Sequence, residues 1–271
     1  TTQRDFGNRS DRKLSRLKYT IDRMGIDVFK AEVEKRSTIK FAPAKKVLFT
    51  HRHDEYGWHQ NHEGLWYYTA FVESGRVLDE GDLKMKQAFL EIAEARKAQF
   101  RFTANQNLIV SDIKAADKAF VEEILERYGV VASTNAASPI RRNSLACVAF
   151  NTCPLALAEA QRYLPSLITK IETALAKHKL QNEGIGIRMT GCPNGCARPY
   201  ISEIGFVGTA YGRYNMHLGA DVIGERLNKI YKENLDETEI LNELDQLFAK
   251  FAAGRQKNES FGDFVVREGV V

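Results

Sequence analysis

The sequence contains no long run of apolar residues, and its first 146 residues contain no cysteine. A membrane-spanning helix needs about 20 mostly apolar residues, so we expect no membrane span. The opening TTQRDFGNRSDRK is polar and charged and does not have the pattern of a secretory signal. It also has no start methionine. We therefore expect a fragment of a longer cytoplasmic protein.

The composition is that of a globular protein, with 44% hydrophobic and 27% charged residues over a length of 271. This length predicts one or two domains. The charge is uneven, because residues 1–46 carry 13 Lys and Arg against 6 Asp and Glu. Such a basic segment can face nucleic acid, an acidic partner or an anionic cofactor, or it can be a solvated helix face.

The first half alternates between helical and extended patterns. Apolar spacings of three and four predict helix over residues 10–36, broken at Gly25. A short strand is expected at Val47–Thr50. From Leu65 the patterns run strand, helix, strand, strand, helix, followed by a weak strand at Val130–Ala132. This order is typical of a ferredoxin-like α+β unit.

The second half contains strand and helix patterns that meet at the cysteines. Cys153-Pro154 predicts the start of a helix, since proline is favoured in a first helical turn. Residues 185–190 predict a strand that runs into the turn Gly-Cys-Pro-Asn-Gly-Cys. A second strand is expected over residues 203–208, and a periodic helix over 237–253.

The four cysteines form the pattern Cys-x5-Cys, a gap of 38 residues, and Cys-x3-Cys; they are Cys147, Cys153, Cys192 and Cys196. A [4Fe–4S] cluster needs four thiolates brought together by flexible turns, and Gly191 and Gly195 belong to such a turn. A structural zinc site fits less well, because zinc pairs are usually two to four residues apart. Four cysteines can also form disulfides or remain as unligated buried thiols.

The two cysteine segments, NSLACVAFNTCPLALAEAQRYLP and RMTGCPNGCARP, resemble the paired signatures of the sirohaem-containing sulfite and nitrite reductases. RLKYTIDRMGIDVFKAEVEKR, FRFTANQNLIV, YGRYNMHLGA, YKENL and FGDFVVREGV resemble the assimilatory sulfite reductase haemoproteins of that family. The resemblance extends over essentially the whole chain and favours sulfite over nitrite as the substrate.

The resemblance implies a [4Fe–4S] cluster held by all four cysteines and a sirohaem whose iron shares the thiolate of Cys196, the residue expected to take part in catalysis. Because sirohaem carries many carboxylates, arginine, lysine and amide donors are expected around it. The expected cofactor-binding residues, besides Cys196, are Arg12, Lys13, Arg16, Lys18, Asn105, Gln106, Asn107, Arg188 and Asn194.

The implied architecture is α+β, with a ferredoxin-like domain followed by an α/β domain that binds the cluster and the sirohaem. We expect a basic helical segment at 1–46, the ferredoxin-like half-domain at 47–135 and the cofactor-binding domain at 136–271. The fragment would be the C-terminal half of the enzyme. Since the family's substrate-binding arginines and lysines come largely from the N-terminal half, we expect the fragment alone to be inactive.

The expected function of the intact enzyme is the six-electron reduction of sulfite to hydrogen sulfide in sulfur assimilation. Its expected electron donor is a flavoprotein reductase subunit that uses NADPH, or alternatively ferredoxin. The nearest competing function is that of a sirohaem nitrite reductase that forms ammonia. From another class, a zinc-stabilised nucleic-acid-binding module would use the basic segment. We expect no nucleic-acid partner and no membrane partner.

Overall fold

The computed structural model describes residues 1–271, which form two compact units, residues 1–48 and 49–271. No helix in the structure combines the length and the apolar character that a membrane crossing requires. Both helices and sheets are present, so the predicted α+β class is confirmed.

The first unit consists of three helices, α1 (Thr2–Phe6), α2 (Leu17–Met24) and α3 (Ile26–Ser37). The predicted break at Gly25 is confirmed. Its φ of 83° lies in the left-handed region that glycine adopts without strain. The strand predicted at Val47–Thr50 is wrong, because these residues pair with no other strand.

The elements of the next part of the chain are β1 (Gly57–Gln60), β2 (Trp66–Ala70), β3 (Asp79–Glu80), β4 (Leu83–Lys84), α4 (Met85–Ala95), β5 (Gln99–Phe102), β6 (Leu108–Ile113), α5 (Lys118–Arg127) and α6 (Val130–Ala136). Four strands form an antiparallel sheet in the order β1-β2-β6-β5. Ile92 of α4 and Ile124 of α5 are buried with Val110 of β6 in one core. The predicted order of strand, helix, strand, strand, helix is confirmed.

The weak strand predicted at Val130–Ala132 is wrong, since these residues begin helix α6. Gly129 adopts a φ of 74° after α5, and its carbonyl accepts a hydrogen bond from Ser133 N, which closes a helical turn. Val130 is fully buried in the core, so its apolar character reflects burial rather than extended structure. A short apolar run cannot by itself distinguish strand from buried helix.

The remaining elements are α7 (Pro139–Arg142), β7 (Ser144–Ala146), α8 (Leu164–Lys177), β8 (Ile187–Thr190), β9 (Ile204–Ala210), β10 (Arg213–Leu218), β11 (Lys229–Leu235), α9 (Glu237–Gly254) and α10 (Phe261–Arg267). The five strands form a sheet in the order β11-β10-β9-β8-β7, in which β7, β8 and β9 are parallel. Ile187 and Met189 of β8 are buried in one core with residues of α8 and α9.

The helix predicted to open at Cys153-Pro154 is wrong, because α8 begins at Leu164 with Pro165 in its first turn. Residues 149–163 form turns instead. The N–H groups of Leu157 and Ala158 both donate to the carbonyl of Gly191 and not to carbonyls of a helix. The preference of proline for a first helical turn is met at Pro165 rather than at Pro154.

Candidate cofactor site

Two of the cysteines lie where neighbouring parallel strands end. Cys147 directly follows β7, and Cys192 follows β8 by two residues. Ala146 pairs with Met189 in the parallel register, and the N–H of Cys147 continues the ladder by donating to Met189 O at 3.1 Å. Because parallel strands end at the same edge of a sheet, the first and third cysteines are brought together by topology.

The sulfur of Cys147 accepts hydrogen bonds from the turn that follows β8. The backbone N–H of Gly191 donates to Cys147 Sγ at 3.2 Å, and Thr190 Oγ1 lies 3.5 Å from the same sulfur. Thr190 Oγ1 also lies 3.3 Å from the carbonyl of Cys192, so its single proton serves one acceptor at a time. Donors at a sulfur stabilise the thiolate form that a metal requires.

Gly191 joins this turn to the loop that carries Cys153. Its carbonyl accepts from Leu157 N at 2.8 Å and from Ala158 N at 3.0 Å. A Cβ at position 191 would lie 2.6 Å from Ala158 O and 2.8 Å from Ala149 Cβ, so only glycine fits. Ala149 in turn accepts from Cys153 N at 2.8 Å. The two cysteine loops are therefore held against each other.

The last two cysteines differ in exposure although they share one tight turn. Gly195 has a φ of 67°, accepts a hydrogen bond from Arg198 N at 2.8 Å and donates one to Cys192 O at 3.4 Å. Cys192 is buried, whereas Cys196 is exposed. Cys196 is thus accessible from outside the protein core.

A zinc ion and a [4Fe–4S] cluster place different requirements on these four cysteines. No group of three or more His, Cys, Asp or Glu side chains in the structure has the spacing of a metal-ion site. Zinc would draw all four sulfurs around one atom. A [4Fe–4S] cluster instead holds its thiolates at the outer corners of a cube of iron and sulfide, which are farther apart. The hydrogen bonds that join the two cysteine loops, and the N–H directed at Cys147, suit thiolate ligands of either kind.

Of the predicted amide triplet, Asn107 and Asn105 make hydrogen bonds within the protein. Asn107 is buried, accepts from Val72 N at 2.9 Å and donates to Asp54 Oδ2 at 2.7 Å. Asn105 Nδ2 donates to Arg52 O at 2.9 Å and also contacts Asp54 Oδ1 at 3.2 Å. These bonds fix the polar turn against the segment that contains Arg52 and Asp54.

Gln106 is the member of the triplet that reaches the cysteine strand. Its Nε2 donates to the carbonyl of Ala146, the residue before Cys147, at 2.8 Å. Its Oε1 is buried and has no hydrogen-bond partner. A buried acceptor without a donor is costly, so Gln106 has capacity for a further contact.

The remaining predicted cofactor residues are distributed between the two units. Arg12, Lys13, Arg16 and Lys18 are exposed residues of the first unit, at the 3₁₀ turn and the start of α2. In the second unit Asn194 is exposed on the cysteine turn, whereas Arg188 is buried on β8. Burial lowers the pKa of Arg188 to about 9, with further contributions from nearby Arg52 and Arg198.

Sequence reasoning missed two charged residues beside Arg188. Arg52 Nη1 donates to Ile201 O, a contact between residues 149 positions apart. Glu203 is buried, and its oxygens accept from Gly186 N at 2.7 Å and Gly262 N at 3.0 Å. Burial raises the pKa of Glu203. No local pattern marks either residue, since their contacts arise only from the tertiary fold.

The sequence matches the profiles of two protein families. The nitrite/sulfite reductase ferredoxin-like half domain matches residues 59–128, within the predicted ferredoxin-like part. The nitrite and sulphite reductase 4Fe-4S domain matches residues 1–41, which contain no cysteine. The assignment of ligands therefore depends on the cysteine loops and not on this match.

Similar proteins match the whole chain. The sulfite reductase [NADPH] hemoprotein beta-component of Leptospira biflexa is 63% identical over 271 residues, which are 100% of this chain and 49% of that protein. The proteins of the same name from Neisseria meningitidis and Escherichia coli are 51% and 50% identical over 100% of this chain, which covers 46% and 47% of them. The chain thus spans about half the length of these relatives.

A solved structure supports the fold. The structure of the Mycobacterium tuberculosis NirA protein is similar with a TM-score of 0.77 and 26% sequence identity. The match covers 97% of this chain and 50% of that chain. Both the sequence relatives and this structure are about twice as long as the chain.

Proposed function

We propose that the chain belongs to the nitrite and sulfite reductase family and is the cluster-bearing part of an enzyme that reduces sulfite to hydrogen sulfide. The observation that carries this proposal is the 63% identity, over all 271 residues, to a protein named sulfite reductase hemoprotein. The two cysteine loops at one sheet edge support it independently. The chain spans half of that relative, so the activity is proposed for the longer protein.

Within this proposal Cys147, Cys153, Cys192 and Cys196 are the ligands of a [4Fe–4S] cluster. The Gly191 N–H and the Thr190 hydroxyl then donate to the sulfur of Cys147. Hydrogen bonds to a coordinating sulfur offset its negative charge, so they favour the reduced cluster and raise its potential. This part of the chain would store electrons in the cluster and set the reduction potential at which the cluster releases them.

Cys196 is proposed to share its thiolate between the cluster and the sirohaem iron. Its exposure supports this role, because Cys192 on the same turn is buried. The bound cofactors would supply single electrons and an open iron position for sulfite. The chain's contribution is to hold the bridging sulfur in place through the bonds that join Cys192, Gly195 and Arg198.

The proposed sirohaem contacts are those predicted from the sequence. Arg188 has the strongest structural support among them, since it is buried and one of its guanidinium nitrogens has no partner. Gln106 follows, because its Oε1 is buried and unpaired beside the cysteine strand. Arg12, Lys13, Arg16 and Lys18 are exposed on the first unit and available for carboxylates.

The proposed electron donor is a flavoprotein component that uses NADPH. The name of the relatives, which includes NADPH and a beta-component, supports a separate partner that supplies electrons. Ferredoxin is the alternative donor. Competition between the two donors for the full-length enzyme would decide between them.

The full-length enzyme gives the test of the proposed activity. With reduced methyl viologen as donor, we expect sulfite to be reduced to sulfide with a higher kcat/KM than nitrite is reduced to ammonia. A Cys192→Ser variant serves as the control that should lose the cluster and the activity together. A cluster-containing enzyme that prefers nitrite would assign the chain to nitrite reduction, and one that reduces neither anion would overturn the proposal.

A further inference from the structure

The second unit contains a cavity of about 320 Å³ next to strands β7 and β8. Its lining is rich in cationic and polar side chains, among them Arg52, Arg142, Arg188, Asn105 and Ser144. The only acid in the lining is Glu203. The cavity is many times larger than the volume of about 30 Å³ that one water occupies in the liquid, so it can hold a ligand group.

Arg188 projects from the side of β8 that faces away from the main core. Its neighbours Ile187 and Met189 are buried in that core, and side chains alternate along a strand. Arg188 is only 4% exposed, yet its Nη1 atom has no hydrogen-bond partner. A buried charge without a hydrogen-bond or ion-pair partner is strongly unfavourable in a folded protein. This guanidinium therefore requires an acceptor.

The protein itself does not supply that acceptor. Neither Arg188 nor Arg52 lies within ion-pair distance of a carboxylate, although both are at least half-buried. Burial is the main cause that lowers the pKa of Arg188, and the charges of Arg52 and Arg198 lower it further. Burial and the charge of Arg198 also lower the pKa of Arg52, whereas the charges of Glu203 and Asp221 raise it. The charges that act on Arg188 are thus all positive, whereas Arg52 is also attracted by two acids.

Glu203 does not neutralise this charge by direct contact. Both of its oxygens accept backbone N–H groups, from Gly186 and Gly262, and it makes no ion pair. It also lies against α10, because its Oε1 accepts from Gly262 on that helix. Glu203 therefore fixes the wall of the cavity and leaves the guanidinium of Arg188 free.

We propose that this cavity is an anion-binding pocket in which Arg188 and Arg52 hold one oxyanion group. Guanidinium groups bind carboxylate, phosphate and related oxyanions through paired N–H donors. Two sources share this chemistry: a peripheral carboxylate of the macrocycle, or a free oxyanion from solution. Binding of a macrocycle carboxylate rests on the proposed function. The existence of an anion-binding pocket does not depend on that function.

The test uses the full-length holoenzyme and two measurements. One is the sirohaem content per cluster after extensive dialysis, and the other is the binding of inorganic phosphate by calorimetry. The variants are Arg188→Gln and Arg52→Gln, with Arg188→Lys to retain the charge. Arg101→Gln is the matched control, because Arg101 is an exposed arginine outside the cavity.

If the anion is a macrocycle carboxylate, both glutamine variants will lose sirohaem on dialysis while iron and sulfide per chain stay unchanged. If it is a free oxyanion, phosphate will bind the wild type and bind the variants about tenfold or more weakly, as expected for loss of a charge-assisted hydrogen bond. Arg188→Lys should recover part of either loss, and Arg101→Gln should match the wild type.

If both glutamine variants retain sirohaem and bind phosphate as the wild type does, the proposal of an anion-binding pocket is wrong. Thermal unfolding of each variant shows whether it is folded. If Arg188→Gln does not fold, the Arg52→Gln variant provides the test, because Arg52 is only half-buried. Failure of the proposed function is distinguishable, since it would appear as a wild-type enzyme that does not reduce sulfite, whatever its anion binding.

Discussion

The backbone N–H of Gly191 donates a hydrogen bond to the sulfur of Cys147 at 3.2 Å. This one contact joins the turn after β8 to the cysteine after β7. The carbonyl of Gly191 simultaneously holds the loop that carries Cys153, through two backbone hydrogen bonds. A single glycine thus connects three of the four cysteine positions, since Cys192 is its direct neighbour.

Gly191→Ala should therefore disrupt the cysteine site. The added Cβ would meet Ala158 O at 2.6 Å, so one of the two loops must move. We expect a loss of about 1–3 kcal/mol in the free energy of unfolding and reduced iron and sulfide per chain. Gly254→Ala is the control, because its Cβ would make only ordinary contacts, at 3.5 Å or more. Full cluster content in Gly191→Ala would contradict this account of the turn.

Thr190→Val should change the reduction potential and leave the cluster in place. The substitution removes the hydroxyl that lies 3.5 Å from Cys147 Sγ and keeps a side chain of similar shape. Loss of a donor to the sulfur disfavours the reduced cluster, so its midpoint potential should become more negative. A redox titration followed by electron paramagnetic resonance measures the shift. An unchanged potential would show that the hydroxyl bonds to the carbonyl of Cys192 instead.

Cys196→Ser should break the electronic coupling between the cluster and the sirohaem in the full-length enzyme. The reason is that Cys196 is the exposed cysteine and the proposed shared ligand. We expect the coupled spectrum to disappear. Because Cys196 is also a proposed cluster ligand, iron and sulfide analysis must show that the cluster remains before the loss is assigned to the bridge. Retention of the coupled spectrum in the Cys196→Ser enzyme would refute the bridging assignment.

Arg141 should stabilise the second unit in a pH-dependent way. Its guanidinium donates to Glu172 at 2.7 Å and 3.1 Å and also pairs with Glu73. Burial would raise the pKa of Glu172, but hydrogen bonds from Arg141 and Ser138 outweigh burial and hold it below the ordinary 4.5. A carboxyl whose pKa is lowered by folding contributes stability above its unfolded pKa and loses it as the pH falls.

Arg141→Ala should thus lower the free energy of unfolding by about 1–3 kcal/mol at neutral pH. The difference from the wild type should shrink as the pH falls below about 4.5. Urea unfolding at several pH values measures this, with Lys177→Ala as the exposed ion-pair control of small effect. A difference that does not depend on pH would show that the arginine acts through packing rather than through Glu172.

Periodicity and motif spacing predicted much of this architecture. The strand at 187–190, the helix at 237–254 and the break at Gly25 follow from local patterns that tertiary contacts reinforce. The pairing of the cysteine loops did not follow from local patterns, because strand β7 was not predicted and its parallel pairing with β8 is seen only in the structure.

Two of the three wrong predictions, those at Val130–Ala132 and at Cys153-Pro154, have a common physical cause. Residues 130–136 and the loop after Cys153 have conformations decided by distant contacts, with the buried core in one case and with Gly191 in the other. The same holds for Arg52 and Glu203, whose partners lie far along the chain. Local patterns contain no information about such partners, so these residues became visible only in the structure.

The measurement that tests the central claim most directly is iron, acid-labile sulfide and zinc analysis of the full-length protein, with an absorption spectrum. We predict a brown protein with about four iron and four sulfide in its cluster, and the loss of both in Cys192→Ser. A colourless protein that holds one zinc ion on its four cysteines would contradict it.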